Sequence, residues 1–278
     1  MREETFPKQI RIENTAACNA ECVICPREKL ERPTTIMKMD FFMSLAQQSK
    51  DGQVPEIHLH GFGEPFIDKL IFDKIRYTKD LGIPRTYLVS NASLLNEQNV
   101  QKLLESGLDK IQISFLGTDT IEYDGMMRNL SYKVVKNNVE TLLKAKRKLG
   151  RKKPIVVLKY IGPLWKLPKF VFQWRFKGAK IAYARLHNWT DGRQYNKPNK
   201  EKKHRTCPIV TNPIMQILSN GKAVPCCYDY NGQIVLGDLT KESIYEVWNG
   251  EKYKNFRALH REQRFEKIPL CNNCDKLR

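Results

Sequence analysis

The sequence predicts an α/β protein built on a parallel sheet. Three observations carry this. Short runs rich in β-branched and aromatic residues alternate with segments of helical period from Gln9 to Ala184. Hydrophobic residues make up 41% of the chain, enough for a packed core. Polar, chemistry-bearing stretches follow the strands, where parallel sheets bind ligands.

In order, QIRIEN (Gln9–Asn14) reads as a strand and MDFFMSLAQQSK (Met39–Lys50) as a helix. EIHLHG (Glu56–Gly61) is a strand, Ile67–Leu81 a helix, RTYLVSN (Arg85–Asn91) a strand and Asn96–Ser106 a helix. KIQISFLG (Lys110–Gly117) precedes a long helix near Tyr132–Leu149. PIVVLKYIG (Pro154–Gly162), a short helix near Lys166–Phe176 and KIAYAR (Lys180–Arg185) follow. About six β/α units result, in an open doubly wound sheet or part of a barrel. Asp191–Thr206 is polar and reads as a linker or mobile loop. Beyond it, PIMQILSNGKAVPCCYDY is a hairpin turning at Asn220–Gly221, then come helices at Ser243–Gly250 and Glu251–Glu262, and CNNC near the end. There is no internal repeat.

Composition excludes some classes. No run of 18 apolar residues exists, which argues against a membrane span, and the start, MREETFPKQIRIEN, lacks a signal peptide's apolar core. A cytoplasmic protein is expected. Net charge is +18, with basic runs at Lys144–Lys153 and Lys197–Arg205. A nucleic-acid-binding protein with structural metal sites would explain charge and cysteines, but a solvated basic face is the preferred reading of the charge, which an acidic substrate or partner would also fit.

The eight cysteines fall in two groups. Cys18, Cys22 and Cys25 form C-x3-C-x2-C directly after the first strand. Three thiolates can hold three corners of a cubane iron–sulfur cluster, leaving one iron for an outside chelate. A zinc site would want a fourth Cys or His nearby, and the first histidines are His58 and His60. Cys207, Cys226, Cys227, Cys271 and Cys274 form the second group, where zinc and iron–sulfur are both open.

CNAECVICP, followed by GFGEP at Gly61–Pro65, resembles the radical S-adenosylmethionine (SAM) superfamily. The resemblance implies a partial (β/α)6 TIM-type barrel. It implies a [4Fe–4S] cluster on Cys18, Cys22 and Cys25, with SAM chelating the open iron. The reduced cluster would split SAM, and the resulting 5′-deoxyadenosyl radical would take hydrogen from a substrate. Gly63 and Glu64 match the stretch that meets the SAM amino group, with Phe62 replacing one glycine. Ser90 and Asn91 fall at the third-strand motif, Ser114 at the ribose contact and Arg128 at the carboxylate contact. Ile24 stands where the family often has an aromatic beside adenine.

CPIV, SNGKAVPCCYD, LGDL, SIYEVWNG and CNNC resemble the SPASM or twitch auxiliary-cluster module, here in its shorter, single-cluster twitch form. The match implies an auxiliary [4Fe–4S] cluster on Cys207, Cys226, Cys271 and Cys274. Cys227 is left over, as a packed core thiol or a substitute ligand. The domains implied are a barrel at 1–192, a linker at 193–206 and a hairpin-plus-helix twitch domain at 207–278. In size, single twitch cluster and ending the chain is similar to an aminocyclitol dehydrogenase of this superfamily; the resemblance covers about Gln9–Leu130 and Cys207–Asp275 and not the middle, which includes His187–Arg193. A flavodoxin- or ferredoxin-type reductant, a two-electron oxidation and a small polyol, aminocyclitol or sugar substrate are implied. Peptide modification is the alternative, although the barrel begins by Gln9 and leaves no room for a recognition domain before it. His187, Tyr160, Asp191, Arg193 and His60 are candidate bases, and Trp189 and Arg193 candidate substrate contacts.

Overall fold

The computed structural model describes residues 6–190, 192–196, 205 and 207–277. The strands are β1 (Gln9–Ile12), β2 (Glu21–Cys22), β3 (Glu56–Leu59), β4 (Arg85–Ser90), β5 (Lys110–Phe115), β6 (Met127–Arg128), β7 (Ile155–Ile161), β8 (Lys180–Ala184), β9 (Ile214–Ile217), β10 (Lys222–Val224) and β11 (Gly237–Asp238). The helices are α1 (Met39–Asp51), α2 (Ile71–Asp80), α3 (Glu97–Glu105), α4 (Thr120–Met126), α5 (Tyr132–Lys148), α6 (Leu167–Trp174), α7 (Pro208–Thr211), α8 (Ile244–Asn249), α9 (Glu251–Arg261) and α10 (Pro269–Asn272). Among the described residues no helix is long and apolar enough to cross a membrane.

One nine-stranded sheet organises the chain, in the order β11-β10-β9-β1-β3-β4-β5-β7-β8. From β9 to β8 every pairing is parallel. Alternation sorts the side chains. Ile10, Ile12, Leu88, Ile111, Ile113 and Leu158 are fully buried in the main core. Val135, Val139 and Leu142 on α5 are buried at helical spacing, as are Phe42, Leu45 and Ala46 on α1. Asn96 caps α3 by accepting from Asn99 N at 2.9 Å, and Ser243 and Glu246 form a capping box on α8.

The other face carries Arg11, Tyr87, Lys110, Gln112, Ser114 and Lys159, all partly buried or exposed to a lumen. Arg11 and Lys159 lie within electrostatic reach although three strands separate β1 from β7. The sheet therefore curls, and these side chains face one interior. This is the expected partial barrel.

The C-terminal segment joins the same sheet. β9 pairs with β1 in register from Gln9↔Ile214 to Ile12↔Ile217, and β9–β10 forms the antiparallel hairpin expected at Asn220–Gly221. Gly221 has φ +85°, which the turn requires. α4 was not expected: its sequence is polar and holds Gly125, but Asp119 caps it by accepting from Glu122 N at 3.1 Å. The basic run Lys144–Lys153 ends α5, with Lys146, Arg147 and Lys148 in the last turn, where they complement the helix dipole. Residues 197–204 of the second basic run lie outside the described residues.

Candidate active site

The first cysteine loop is fixed by backbone. β2 pairs with β6, setting Cys22 opposite Met127 and Glu21 opposite Arg128. Val23 N donates to Met126 O and Cys25 N to Cys22 O, each at 2.9 Å. Arg128 thus lies beside the cysteine loop, its side chain exposed, while Ile24 is buried in the core.

GFGEP closes on this loop. Glu64 N donates to Ala17 O at 2.8 Å. A Cβ at Gly63 would stand 2.4 Å from Ala17 O and 2.5 Å from Thr15 O, so only glycine permits this approach. The buried Glu64 carboxylate accepts from Ser90 Oγ (2.8 Å), Asn91 N (2.7 Å) and Phe66 N (3.2 Å). Burial pushes its pKa up to about 7 against the pull of those donors. The Asn91 side chain donates to Asn19 Oδ1 at 3.1 Å, and Asn19 donates to Ser93 Oγ at 2.8 Å. Gly63, Glu64, Ser90 and Asn91 are therefore brought together around the Cys18 loop. Ser114 sits on the inward face of β5, level with Lys159 of β7.

Cys18, Cys22 and Cys25 are free, partly buried thiols. Burial and then mutual repulsion push Cys22 and Cys25 up to about 12. The chain alone holds them protonated; bound iron would supply the positive charge that thiolates need. Arg27 favours the thiolates, and its guanidinium also donates to Ala16 O at 2.9 Å.

The second group lines a cavity of about 310 Å³ with Cys207, Cys226, Cys227, Cys271 and Cys274 on its wall. Among the described residues no three Cys, His, Asp or Glu side chains converge closely enough for one metal ion. Here the thiols ring a space, and a multi-iron cluster fits that donor set. Cys226 is driven up by burial and by Cys227, Cys271 and Cys207, which places these thiols in one another's field. Cys227 is not a packed core thiol. It lines the cavity and accepts from Arg11 Nη1 at 3.9 Å.

Between the groups stands an aromatic wall. Phe62 stacks on Tyr230 at 5.0 Å and meets Trp189 edge-on at 5.6 Å. His187 lies 4.6 Å from both Trp189 and Tyr228. Trp189 and Thr190 have φ +50° and +63°, an uncommon conformation for bulky and β-branched residues. The loop is held by Asn188, whose Oδ1 accepts from Tyr195 N (2.7 Å) and Asn196 N (2.8 Å), and whose backbone N donates to Asp275 Oδ1 at 3.1 Å.

The candidate bases separate. Tyr160 is fully buried, stacks on Phe170 at 5.0 Å and donates to Pro163 O at 3.3 Å. It faces the helix layer, the opposite side from Lys159, and cannot reach a substrate in the lumen. Arg193 is neither base nor substrate contact. Its guanidinium donates to Val23 O (3.1 Å) and Cys25 O (2.5 Å) and pairs with Glu28, clamping the cysteine loop. Asp191 lies outside the described residues. His60 has a buried Nδ1 with no hydrogen-bond partner. Burial, with Lys276 nearby, lowers His187 to about 4, so its imidazole is neutral at pH 7.

Sequence reasoning missed Glu13. It is buried and accepts from Arg32 Nη1 and Nη2, both at 2.7 Å, from Phe62 N at 2.9 Å and from Ser219 N at 3.1 Å. Arg32 also donates to Tyr230 O at 2.5 Å. One ion pair thus ties β1, GFGEP, the first loop and the C-terminal hairpin. A lone acid at a strand end gave no signal. Arg11 and Lys159 were missed as ordinary strand cations.

The family model described as the radical SAM superfamily matches residues 12–161, and that described as the SPASM iron–sulfur cluster-binding domain matches residues 207–275. The chain is 23% identical to the S-adenosyl-L-methionine-dependent 2-deoxy-scyllo-inosamine dehydrogenase of Niallia circulans, over 96% of this chain and 92% of that protein. The crystal structure of BtrN in complex with AdoMet and 2-DOIA superposes with a TM-score of 0.68 at 20% identity, covering 97% of this chain and 93% of that one. Streptococcus suis SuiB bound to precursor peptide SuiA gives 0.74 at 16% identity, over 91% of this chain and 67% of that one. With its cysteine loop, its glycine-dependent GFGEP contact and its second thiol-lined cavity, the chain belongs to the radical SAM superfamily, an enzyme whose cofactors are a [4Fe–4S] cluster and S-adenosylmethionine, with auxiliary iron–sulfur in a C-terminal SPASM domain.

Proposed function

We propose that the enzyme is a dehydrogenase-type oxidoreductase acting on a small polyol, aminocyclitol or sugar. The observation that carries this is that both thiol sets are positioned by strands of one nine-stranded sheet, the Cys18–Cys25 loop following β1 and Cys226 following β10, with an aromatic wall beside them. Cys18, Cys22 and Cys25 would hold the first cluster. Cys207, Cys226, Cys271 and Cys274 would hold a single auxiliary [4Fe–4S] cluster. The proposed division is a barrel at 1–192 and a twitch domain at 207–278. When bound, the first cluster and SAM supply a hydrogen-abstracting radical, and the auxiliary cluster supplies a one-electron acceptor.

The chain's own residues do the rest. Gly63 lets the GFGEP backbone approach the cysteine loop, and Glu64 locks Ser90 and Asn91 against it. Ser114 and Arg128 are the remaining proposed SAM contacts. Phe62, Trp189, Tyr228 and Tyr230 exclude water from the space between the sites. Neutral His187, on that wall, is the proposed base for the substrate proton. The similarity to the dehydrogenase supports a small molecule. The likeness to SuiB with its precursor peptide favours the second reading, a peptide substrate.

The test is anaerobic reconstitution, with iron and sulfide counted on wild type and on a Cys18, Cys22, Cys25→Ala variant. About eight irons should fall to about four. With dithionite and SAM, wild type should form 5′-deoxyadenosine and the variant none. Zinc in place of iron, with no nucleoside formed, would overturn the proposal.

A further inference from the structure

The lumen of the partial barrel is electropositive, and among the described residues Arg11, Lys159 and Lys276 have no carboxylate partner. Arg11 projects inward from β1 and Lys159 from β7, and each acts on the other. Cys227, whose thiolate would favour the charged lysine, and Lys276, at the cavity wall, act on Lys159 as well. Among the described residues none of the three has an ion pair. Arg11 Nε is buried without a hydrogen-bond partner, and its Nη1 reaches only the Cys227 thiol. His60, beside them, has an orphaned buried Nδ1. Among the described residues the one carboxylate on an inward position of β1, β3, β4, β5 or β7 is Glu56, at the start of β3, where His58 and Arg85 already engage it. Asp275, near Lys276, is held by Asn188 and Asn196.

Desolvated cations without counter-charges are costly, and an unpaired one is destabilising until an anion arrives. The position is equally telling. Lys159 is level with Ser114 on the adjoining strand, at the SAM end, whereas Arg11 opens onto the cavity wall beside Cys227. A guanidinium and an ammonium facing one space suit a planar or tetrahedral oxyanion, the guanidinium in a forked contact and the ammonium as a point charge.

We propose that Arg11 and Lys159 form a substrate anchor for an anionic group, a phosphate or a carboxylate, held between the two cysteine sites. The assignment rests on the dehydrogenase reading above and deepens it. The substrate is then a sugar or cyclitol that carries an acid group, and the anchor orients the opposite end of the molecule toward the reacting centre. The field of the lumen draws such a substrate inward.

The test uses the reconstituted holoenzyme with SAM and no reductant, so that nothing turns over. Glucose 6-phosphate, glucuronate and glucose are titrated calorimetrically. At least one anionic probe should bind ten-fold or more tightly than glucose, and which one does so distinguishes phosphate from carboxylate. Arg11→Gln and Lys159→Met should each weaken that probe at least ten-fold. Lys252→Met, which removes the same charge from an exposed position on α9, should not. A wild type that binds neither anion better than glucose overturns the anchor. So does an Arg11→Gln variant that shifts the auxiliary cluster's reduction potential but leaves anion affinity unchanged, because the cations then serve the cluster. Formation of 5′-deoxyadenosine on adding reductant is scored separately; its absence from wild type defeats the dehydrogenase reading itself.

Discussion

Removing Glu13 should unfasten four segments at once. Its side chain and that of Arg32 are 1% and 6% exposed, so the pair sits in a low-dielectric interior. Breaking such a pair from one side costs about 3–5 kcal/mol, because the surviving charge is stranded. Phe62 N and Ser219 N also lose their acceptor, at about 1–3 kcal/mol each where water cannot enter. The terms overlap, and Glu13→Ala is expected to cost about 4 kcal/mol. At about 2–4 °C per kcal/mol for a chain of this size, the melting midpoint should fall by about 10 °C. The assay is thermal unfolding of the anaerobic holoenzyme by far-ultraviolet circular dichroism, run on Glu13→Ala, Arg32→Ala and the double variant. Removing both charges should cost little more than the worse single change, since neither is then stranded. A fall under 2 °C for Glu13→Ala, or a double variant showing the full sum of the two, would refute the reasoning.

Gly63→Ala would force a methyl against two backbone carbonyls. It should weaken SAM binding more than ten-fold while leaving auxiliary iron intact, as measured by equilibrium dialysis and iron counts. His260 is buried against Phe256 and Phe265, and burial lowers its pKa from 6.5 to about 4. The folded state then binds the proton less well than the unfolded chain, so stability is full above about pH 6.5 and is lost as pH falls toward 4. The difference is about 3 kcal/mol; His260→Phe should flatten that acid limb in denaturant titrations at pH 7 and pH 4.5. Trp189→Ala should open the wall to water, raising the ratio of 5′-deoxyadenosine formed to product released. An unchanged ratio would show that the ring plays no part in sealing the site. Arg193→Met should loosen the Cys25 loop, read as faster loss of iron from the first site to a chelator.

Much of this was legible because it is local. Alternating Gln9–Ile12, the helical spacing of α5 and the Asn220–Gly221 turn each follow from a few neighbouring residues. Cysteine spacing, with Gly63 and Glu64, was enough to locate the site. What escaped was long-range. Nothing within Ile214–Ile217 announces that it will lie parallel to β1. Arg193 reads as a substrate contact because its partners, Val23 O and Cys25 O, are backbone atoms far back in the chain. Tyr160 reads as a candidate base because strand register decides its side of the sheet, and its neighbour Lys159 holds the lumen position instead. Cys227 looks spare until Arg11 and the cavity give it a place.

The parallel register of β1 with β9 has a consequence for synthesis. Gln9 leaves the ribosome early, yet its partner Ile214 follows roughly two hundred residues later. Until then β1 is a bare edge, open to pairing with another chain. The loop bearing the first three cysteines hangs from that edge. The barrel should therefore finish only when the last third of the protein has emerged, and a chain cut before Cys207 should aggregate rather than yield a smaller enzyme.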